Sequence, residues 1–241
     1  MTDKVALVTG AGRGIGLEVC RQLAERGMTV VLTARDPERA EAAAERLVGE
    51  GLDVVPKTLD VSSDESLRGL ASELEQEFGT LDVLVNNAAT CADWSEMASS
   101  AELASAQGVL ATNLFGAWRA CQAFLPLIGR SGRGRIVNVS SGAGSHGEPR
   151  FGLTTNRGSA APYGISKAAL NALTAKLAAE LEGKGVLVNA VDPGLTATAP
   201  SMEEIGARPV AEGAASVVWG ATLPEGGPTG GFFRDGEPLP W

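Results

Sequence analysis

Residues 4–36 read KVALVTGAGRGIGLEVCRQLAERGMTVVLTARD, and the order of their patterns decides the fold. Val5–Val8 is a short apolar run without polar alternation, the pattern of a parallel strand covered on both faces. Gly10, Gly12, Gly14 and Gly16 crowd the turn behind it. From about Ile15 to Arg26 the apolar positions Leu17, Val19, Cys20 and Leu23 follow a helical repeat, and Gly27 stops it. A glycine turn between strand and helix has a physical use. Gly10 and Gly14 allow backbone conformations closed to other residues and let a phosphate come close. Gly16 lets the helix pack tightly on the sheet. The free N–H groups at the helix start, with the positive end of its dipole, suit a pyrophosphate. The spacing is Gly-x-x-x-Gly-x-Gly, not the commoner Gly-x-Gly-x-x-Gly.

Working outward, Thr29–Thr33 is the second strand and Ala34-Arg35-Asp36-Pro37 the turn after it. An NAD site usually places a carboxylate near this strand end to bond the ribose hydroxyls. Arg35 stands there instead, able to pair with a 2′-phosphate, and Arg13 in the glycine turn can reach the same group. Asp36 reads as a helix cap, with Pro37 at the first helical position. Asp53–Leu59 is a third strand. Asp60 behind it is placed either to bond an adenine or to cap the helix that opens at Ser63 or Asp64 and runs to Phe78. Leu81–Val85 is the fourth strand, ending in Asn86-Asn87-Ala88-Ala89. A loop follows over 90–100, then one long helix over Ala101–Ile128 with Asn113 near its middle. Val186–Val191 is the sixth strand, broken by Asp192-Pro193-Gly194. Glu212–Leu223 is helical and Gly231–Arg234 supplies a last strand. Strands alternating with helices, without linker or repeat, predict an α/β fold. It is a Rossmann-type doubly wound parallel sheet of about seven strands with helices on both faces, in a single domain over residues 1–241.

Composition agrees. The chain has 241 residues, 44% hydrophobic and 20% charged, which suits one sizeable core. Its net charge of −9 and the lack of a Lys/Arg run exclude a basic nucleic-acid face. With a screening length of ~8 Å, the two local arginines govern an anionic ligand more than the net charge does. Cys20, Cys91 and Cys121 are widely spaced, form no metal pattern and read as reduced buried thiols. One histidine, His146, cannot build a histidine metal cluster. No apolar run reaches membrane-spanning length and the first residues lack a signal-peptide pattern, so the expectation is a cytoplasmic protein without membrane contact.

The chemistry is expected in residues 135–181. Ile136–Val139 reads as a buried strand whose end delivers Ser140 and Ser141. Leu170, Leu173, Leu177 and Leu181 mark a long helix, and near its start Tyr163 and Lys167 share one face, a turn apart. A tyrosine titrates near pH ~10, too high for efficient proton exchange at neutral pH. A nearby ammonium stabilises the phenolate and makes it a usable general acid or base. A serine hydroxyl from the strand end can hold a substrate oxygen beside it.

Together these residues resemble the short-chain dehydrogenase/reductase family. The likeness runs through the TGAGRGIG turn, Asp60, the NNAA stretch, Asn113, Ser141, the YGISK stretch and the DPG turn, departing mildly where Ala89 replaces the usual glycine. Within the family, the TARD segment, the short region after Thr198 and a C-terminus ending in tryptophan look most like the NADPH-dependent carbonyl reductases. The resemblance implies NADP(H) held by Gly10, Gly12, Arg13, Gly14, Ile15, Gly16, Arg35, Asp60, Val61, Asn87, Pro193, Gly194 and Thr198, with Tyr163 and Lys167 also touching it. It implies that Tyr163 donates a proton to a carbonyl oxygen while Lys167 lowers the tyrosine pKa and binds the nicotinamide ribose. Ser141 would orient the carbonyl and Ser140 would be structural. Asn113 would bend its helix and hold a water that relays protons to Lys167. The substrate would be a small-molecule carbonyl compound or alcohol. The 21 residues between Ser141 and Tyr163 are intermediate between the spans of tetrameric and monomeric relatives, which favours a monomer or loose dimer. The short segment after Thr198 implies a small lid and a cleft open to bulky ketones. A non-catalytic dinucleotide-binding sensor or scaffold on the same fold is the alternative.

Overall fold

Ala6 and Val8 pack with one apolar cluster and Val5 and Leu7 with another, the period-two alternation of an extended chain buried on both sides. The computed structural model, which describes residues 4–91 and 93–241, builds a sheet from this strand outward. β1 (Val5–Val8) is flanked on one side by β2 (Thr29–Ala34) and β3 (Val54–Thr58). On the other side follow β4 (Val83–Asn86), β5 (Arg135–Val139), β6 (Leu187–Val191), β7 (Phe232–Arg234) and β8 (Glu237–Pro238). The order is β3-β2-β1-β4-β5-β6-β7-β8, with β1 in register as Val5 on Thr29 and Ala6 on Val83. All pairs are parallel except β7–β8. The chain winds outward from β1 and then crosses back to β4, so a crevice opens at the carboxyl ends of these two strands.

The helices form two layers. α1 (Gly14–Ala24), α2 (Pro37–Gly49) and α7 (Val210–Ala221) cover one face of the sheet. α3 (Asp64–Glu77), α5 (Ala117–Ser131) and α6 (Ala161–Glu180) cover the other, around Leu70, Phe124, Leu170 and Leu173. Asp36 caps α2 through the Glu38 N–H, with Pro37 at the first position, as expected. The cap of α3 is Ser63, bonded to the Ser66 N–H at 3.2 Å.

Two expectations need correction. The sheet has eight strands, not about seven. The extra strand is two residues long and turns back through Asp235 and Gly236, both at positive φ (55° and 84°). So short a strand carries no periodic signal; only the Asp-Gly turn announces it. The expected helix over Ala101–Ile128 is three pieces: α4 (Leu103–Leu110), a π-helical segment over Ala111–Gly116 and α5. The apolar pattern runs on through the π segment, which hides it from sequence. Side-chain bonds from Asn113 to the neighbouring loop hold the widened turn in place.

Candidate active site

The nucleotide half forms around Thr9. Its hydroxyl accepts the N–H groups of Asn87 and Ala88 at 3.0 Å, joining the β1 and β4 strand ends. Gly10 has φ +64°, and a Cβ there would meet the Ala88 Cα at 2.7 Å, so only glycine lets the two turns approach. Asn87, which lines the cleft, donates its amide to the carbonyls of Thr9 and Gly10 at 2.9 and 3.0 Å and pins the glycine turn. The start of α1 has no side-chain cap and no acidic residue in its first turn, so its N–H donors face outward.

A cleft of about 810 Å³ opens in front of this turn, lined by Gly10, Gly12, Arg13, Gly14, Ile15 and Gly16 from the first turn. Arg35, Asp60, Val61, Asn87 and Thr198 line it too. Arg13 and Arg35 are exposed and, among the described residues, form no ion pair. Asp36 is engaged as a cap and lies 3.4 Å from Arg39. The donors on offer are therefore N–H groups, the guanidiniums of Arg13 and Arg35, and that of Arg39 beside Asp36, which fit a pyrophosphate and a further phosphate beside the ribose. Asp60 is not the helix cap. Its carboxyl accepts the Ser62 hydroxyl at 2.6 Å and N–H at 2.9 Å, and these bonds hold it below the usual carboxylate range.

Ser141, Tyr163 and Lys167 are not among the residues that line this cleft; Thr90, which is, bonds Asn113, and Asn113 bonds Ser166 beside Lys167 on α6. β5 carries Ser140 and Ser141 out of the sheet. Ser140 is buried and donates to Asn171 Oδ1 at 2.6 Å. Ser141 caps a short turn over Gly142–Gly144. A Cβ on Gly144 would sit 2.6 Å from the backbone of Lys167 and Ala168; its absence lets α6 rest on this turn. That contact sets the turn capped by Ser141 against the helix that carries Tyr163 and Lys167.

Burial pushes the half-buried Tyr163 hydroxyl up to about 12, the Ser141 hydroxyl pulls it back, and the charge of Asp192 adds to the rise. Lys167 is buried, donates Nζ to the Val139 carbonyl at 2.7 Å and lies 5.5 Å from the centre of the Tyr163 ring. Burial pushes its own ammonium down to about 8. Burial thus outweighs the expected lowering, and the tyrosine stands above its ordinary value while the Lys167 ammonium donates to Val139. Asn113 lies in the π segment, where the helix is distorted as expected. Its amide bonds the Thr90 backbone in both directions at 2.8 Å and donates to Ser166 Oγ at 3.0 Å. Ser166 in turn donates to the Tyr163 carbonyl at 2.7 Å. The side chain thereby fixes the first turn of α6.

Pro193 and Gly194 stand at the end of β6, with Gly194 at φ +69° beside Arg208. Sequence reading missed three residues here. Asp192 looked like a strand breaker, but it accepts N–H groups on both sides of the site. Arg234 looked like a strand end, but it pairs with Asp192. Trp94, in a loop read as small and polar, places its ring 5.1 Å from that of Tyr163 and accepts the Ala160 N–H. A tryptophan in an otherwise small, polar loop was the one available signal.

A doubly wound sheet with an uncapped glycine turn at its switch point defines a dinucleotide-binding α/β protein. The sequence profile of the short chain dehydrogenase family matches residues 4–208. A short-chain dehydrogenase/reductase of Saponaria officinalis is 33% identical, over 99% of this chain and 96% of its own. (+)-Neomenthol dehydrogenase of Arabidopsis thaliana is 35% identical, over 96% of each chain. An actinorhodin polyketide ketoreductase solved with NADPH superposes with TM-score 0.84 at 28% identity, over 97% of this chain and 95% of its own. The chain belongs to the short-chain dehydrogenase/reductase family and is an oxidoreductase of that family.

Proposed function

We propose that this protein is an NADPH-dependent reductase acting on a ketone or aldehyde, reversible as an alcohol dehydrogenase, with Tyr163 as general acid and base. The observation that carries the reading is that Tyr163 and the buried Lys167 lie together on α6, Nζ 5.5 Å from the ring centre, with the turn capped by Ser141 packed against that helix, in a chain whose glycine turn, Arg13 and Arg35 line a cleft. When bound, the reduced nicotinamide supplies the hydride. Tyr163 holds its proton at neutral pH and can give it to the carbonyl oxygen. Ser141 orients that oxygen. Lys167 holds a positive charge one helical turn away, which favours the phenolate left behind. Asn113 keeps the first turn of α6 in place through Ser166.

Arg35 and Arg13 support NADP(H) over NAD(H), since both line the cleft at the end of β2 and Asp36, which lines it too, is engaged as the cap of α2. Trp94 offers an exposed apolar wall beside Tyr163, which supports ketones attached to a bulky or cyclic body. The free thiols of Cys20 and Cys121, buried as expected, and of Cys91, which is exposed instead because it lies in the loop after β4, favour a reducing compartment such as the cytoplasm. A monomer or loose dimer remains our reading of the span between Ser141 and Tyr163.

The test is turnover of NADPH with a panel of carbonyl compounds, in the unaltered protein and in Tyr163→Phe. We expect the variant to bind NADPH and to lose turnover by about a hundredfold or more. NADPH binding with no turnover of any carbonyl by the unaltered protein would establish the sensor or scaffold instead.

A further inference from the structure

Asp192 is 3% exposed, and its carboxylate joins parts of the site distant in sequence. Oδ2 accepts the N–H of Gly142, the residue after Ser141, at 2.8 Å, and Oδ1 accepts the N–H of Gly194 at 2.7 Å. Arg234 reaches the same carboxylate from β7, with Nη2 at 2.5 Å and Nε at 3.2 Å from Oδ2. We propose that Asp192 and Arg234 are a positioning pair: the carboxylate ties the Ser141 turn to the Pro193–Gly194 turn, and the guanidinium supplies its counter-charge. The proposal rests on the function proposed above and adds two residues outside the serine, tyrosine and lysine.

The charge matters as well as the tie. A neutral oxygen could accept the same N–H groups, yet a carboxylate stands here, behind the tyrosine that must release a proton. Among the described residues, the ionisable groups that face Tyr163 are Lys167 on its own helix, Cys91 behind β4 and Asp192 directly after β6. Around Asp192 stand Arg234, then Glu148, 3.9 Å from Arg234 and too far for a hydrogen bond. Asp235 lies beyond, itself paired with Arg208 at 2.8 Å. Asp192 raises both Tyr163 and Lys167. Arg234 at contact distance offsets part of that charge, so the carboxylate opposes the phenolate less than it would alone. Removing the arginine frees the negative charge. Removing the aspartate breaks the tie and leaves a bare positive charge.

The chain contains one tyrosine, so tyrosinate absorbance reports Tyr163 alone. A stopped-flow jump to alkaline pH reads its ionisation before alkali unfolds the chain. Asp192→Asn should lower the midpoint by about one pH unit and Arg234→Gln should raise it, since a nearby charge shifts a pKa by that order. Arg234→Lys keeps the charge and should titrate with the unaltered protein. Asp192→Asn should also lower kcat about tenfold while the NADPH dissociation constant moves less than about threefold, because the tie positions reacting groups more than it binds. Midpoints unmoved by Asp192→Asn and Arg234→Gln would overturn the counter-charge, and an unchanged kcat would overturn the tie. Should Arg234→Gln fail to fold, Asp192→Asn and Arg234→Lys decide the matter. The titration needs no turnover. A protein inactive on every carbonyl therefore refutes the proposed reaction alone, and unmoved midpoints in an active enzyme refute the pair alone.

Discussion

Exchanging Arg35 for aspartate should turn the cofactor preference from NADPH to NADH. Arg35 follows Ala34 at the end of β2 and is exposed on the cleft wall. The nearest carboxylate in sequence, Asp36, caps α2 and lies beside Arg39; it lines the cleft as well, and a bond from it to a ribose hydroxyl would serve both cofactors alike. A hydrogen bond to a charged group contributes roughly 1.5–3 kcal/mol, and 1.4 kcal/mol is tenfold, so losing the arginine costs NADPH about 10- to 150-fold in kcat/KM. Placing a negative charge about 4 Å from the phosphate adds roughly 1 kcal/mol of repulsion in water, another factor of about five. Arg13 remains and limits the loss. NADH lacks the phosphate and should keep its rate or gain from the new carboxylate. The assay is kcat/KM for each cofactor with one carbonyl substrate, at two salt concentrations. Salt shortens the screening length from ~10 Å at 0.1 M to ~3 Å at 1 M, so the preference of the unaltered protein for NADPH should weaken with salt. Equal use of both cofactors by the unaltered protein, or a ratio that Arg35→Asp leaves within about threefold, would refute this reading of the β2 strand end.

Lys167→Met should remove a pH dependence of stability. The lysine titrates at about 8 in the fold against 10.5 for an ordinary lysine, so between these values the unfolded chain holds the extra proton and raising pH stabilises the fold. Tyr163 acts oppositely, at about 12 against 10, so stability falls through this group as pH rises between them. Denaturant titrations from pH 7 to 11 should lose only the rise in the variant, and the same slope in both proteins would contradict the buried ammonium. Asn138→Ala removes bonds to Asn86 at 2.8 Å and Thr174 at 2.9 Å that join β4, β5 and α6, and should cost about 2–4 kcal/mol, or roughly 4–15 °C in Tm. A shift below about 1 °C would show the network to be unimportant. Trp94→Ala should raise KM for a cyclic or aryl ketone about two- to tenfold, in line with an aromatic contact of ~0.5–1.5 kcal/mol, and leave a small aldehyde unaffected. An equal effect on both substrates would remove the tryptophan from substrate recognition.

The expected strands and caps lie within one or two residues of the observed ones because each rests on a local pattern. Val5–Val8 is a buried run, and Asp36-Pro37 is a cap followed by a pre-set helical φ. The nucleotide half was legible for the same reason: its glycines, Arg13 and Arg35 lie in two short turns that directly follow strands. The π segment over Ala111–Gly116 was not, since it depends on Asn113 reaching a backbone 23 positions away. Nor was the bond from the Asn87 amide to the turn after β1, again a contact no local pattern announces.

The amino-acid order alone determined the doubly wound sheet, the turn suited to a pyrophosphate, and the residue types available for proton transfer, because periodicity and glycine placement act over a few residues. Only the tertiary structure decided which groups meet. Burial and not Lys167 dominates the state of Tyr163, Ser141 answers it across the Gly144 contact, and Asp192 draws Arg234 from 42 positions away into the same pocket of charge. Desolvation and long-range ion pairing depend on what surrounds a side chain in space, and that is settled only when distant segments pack together.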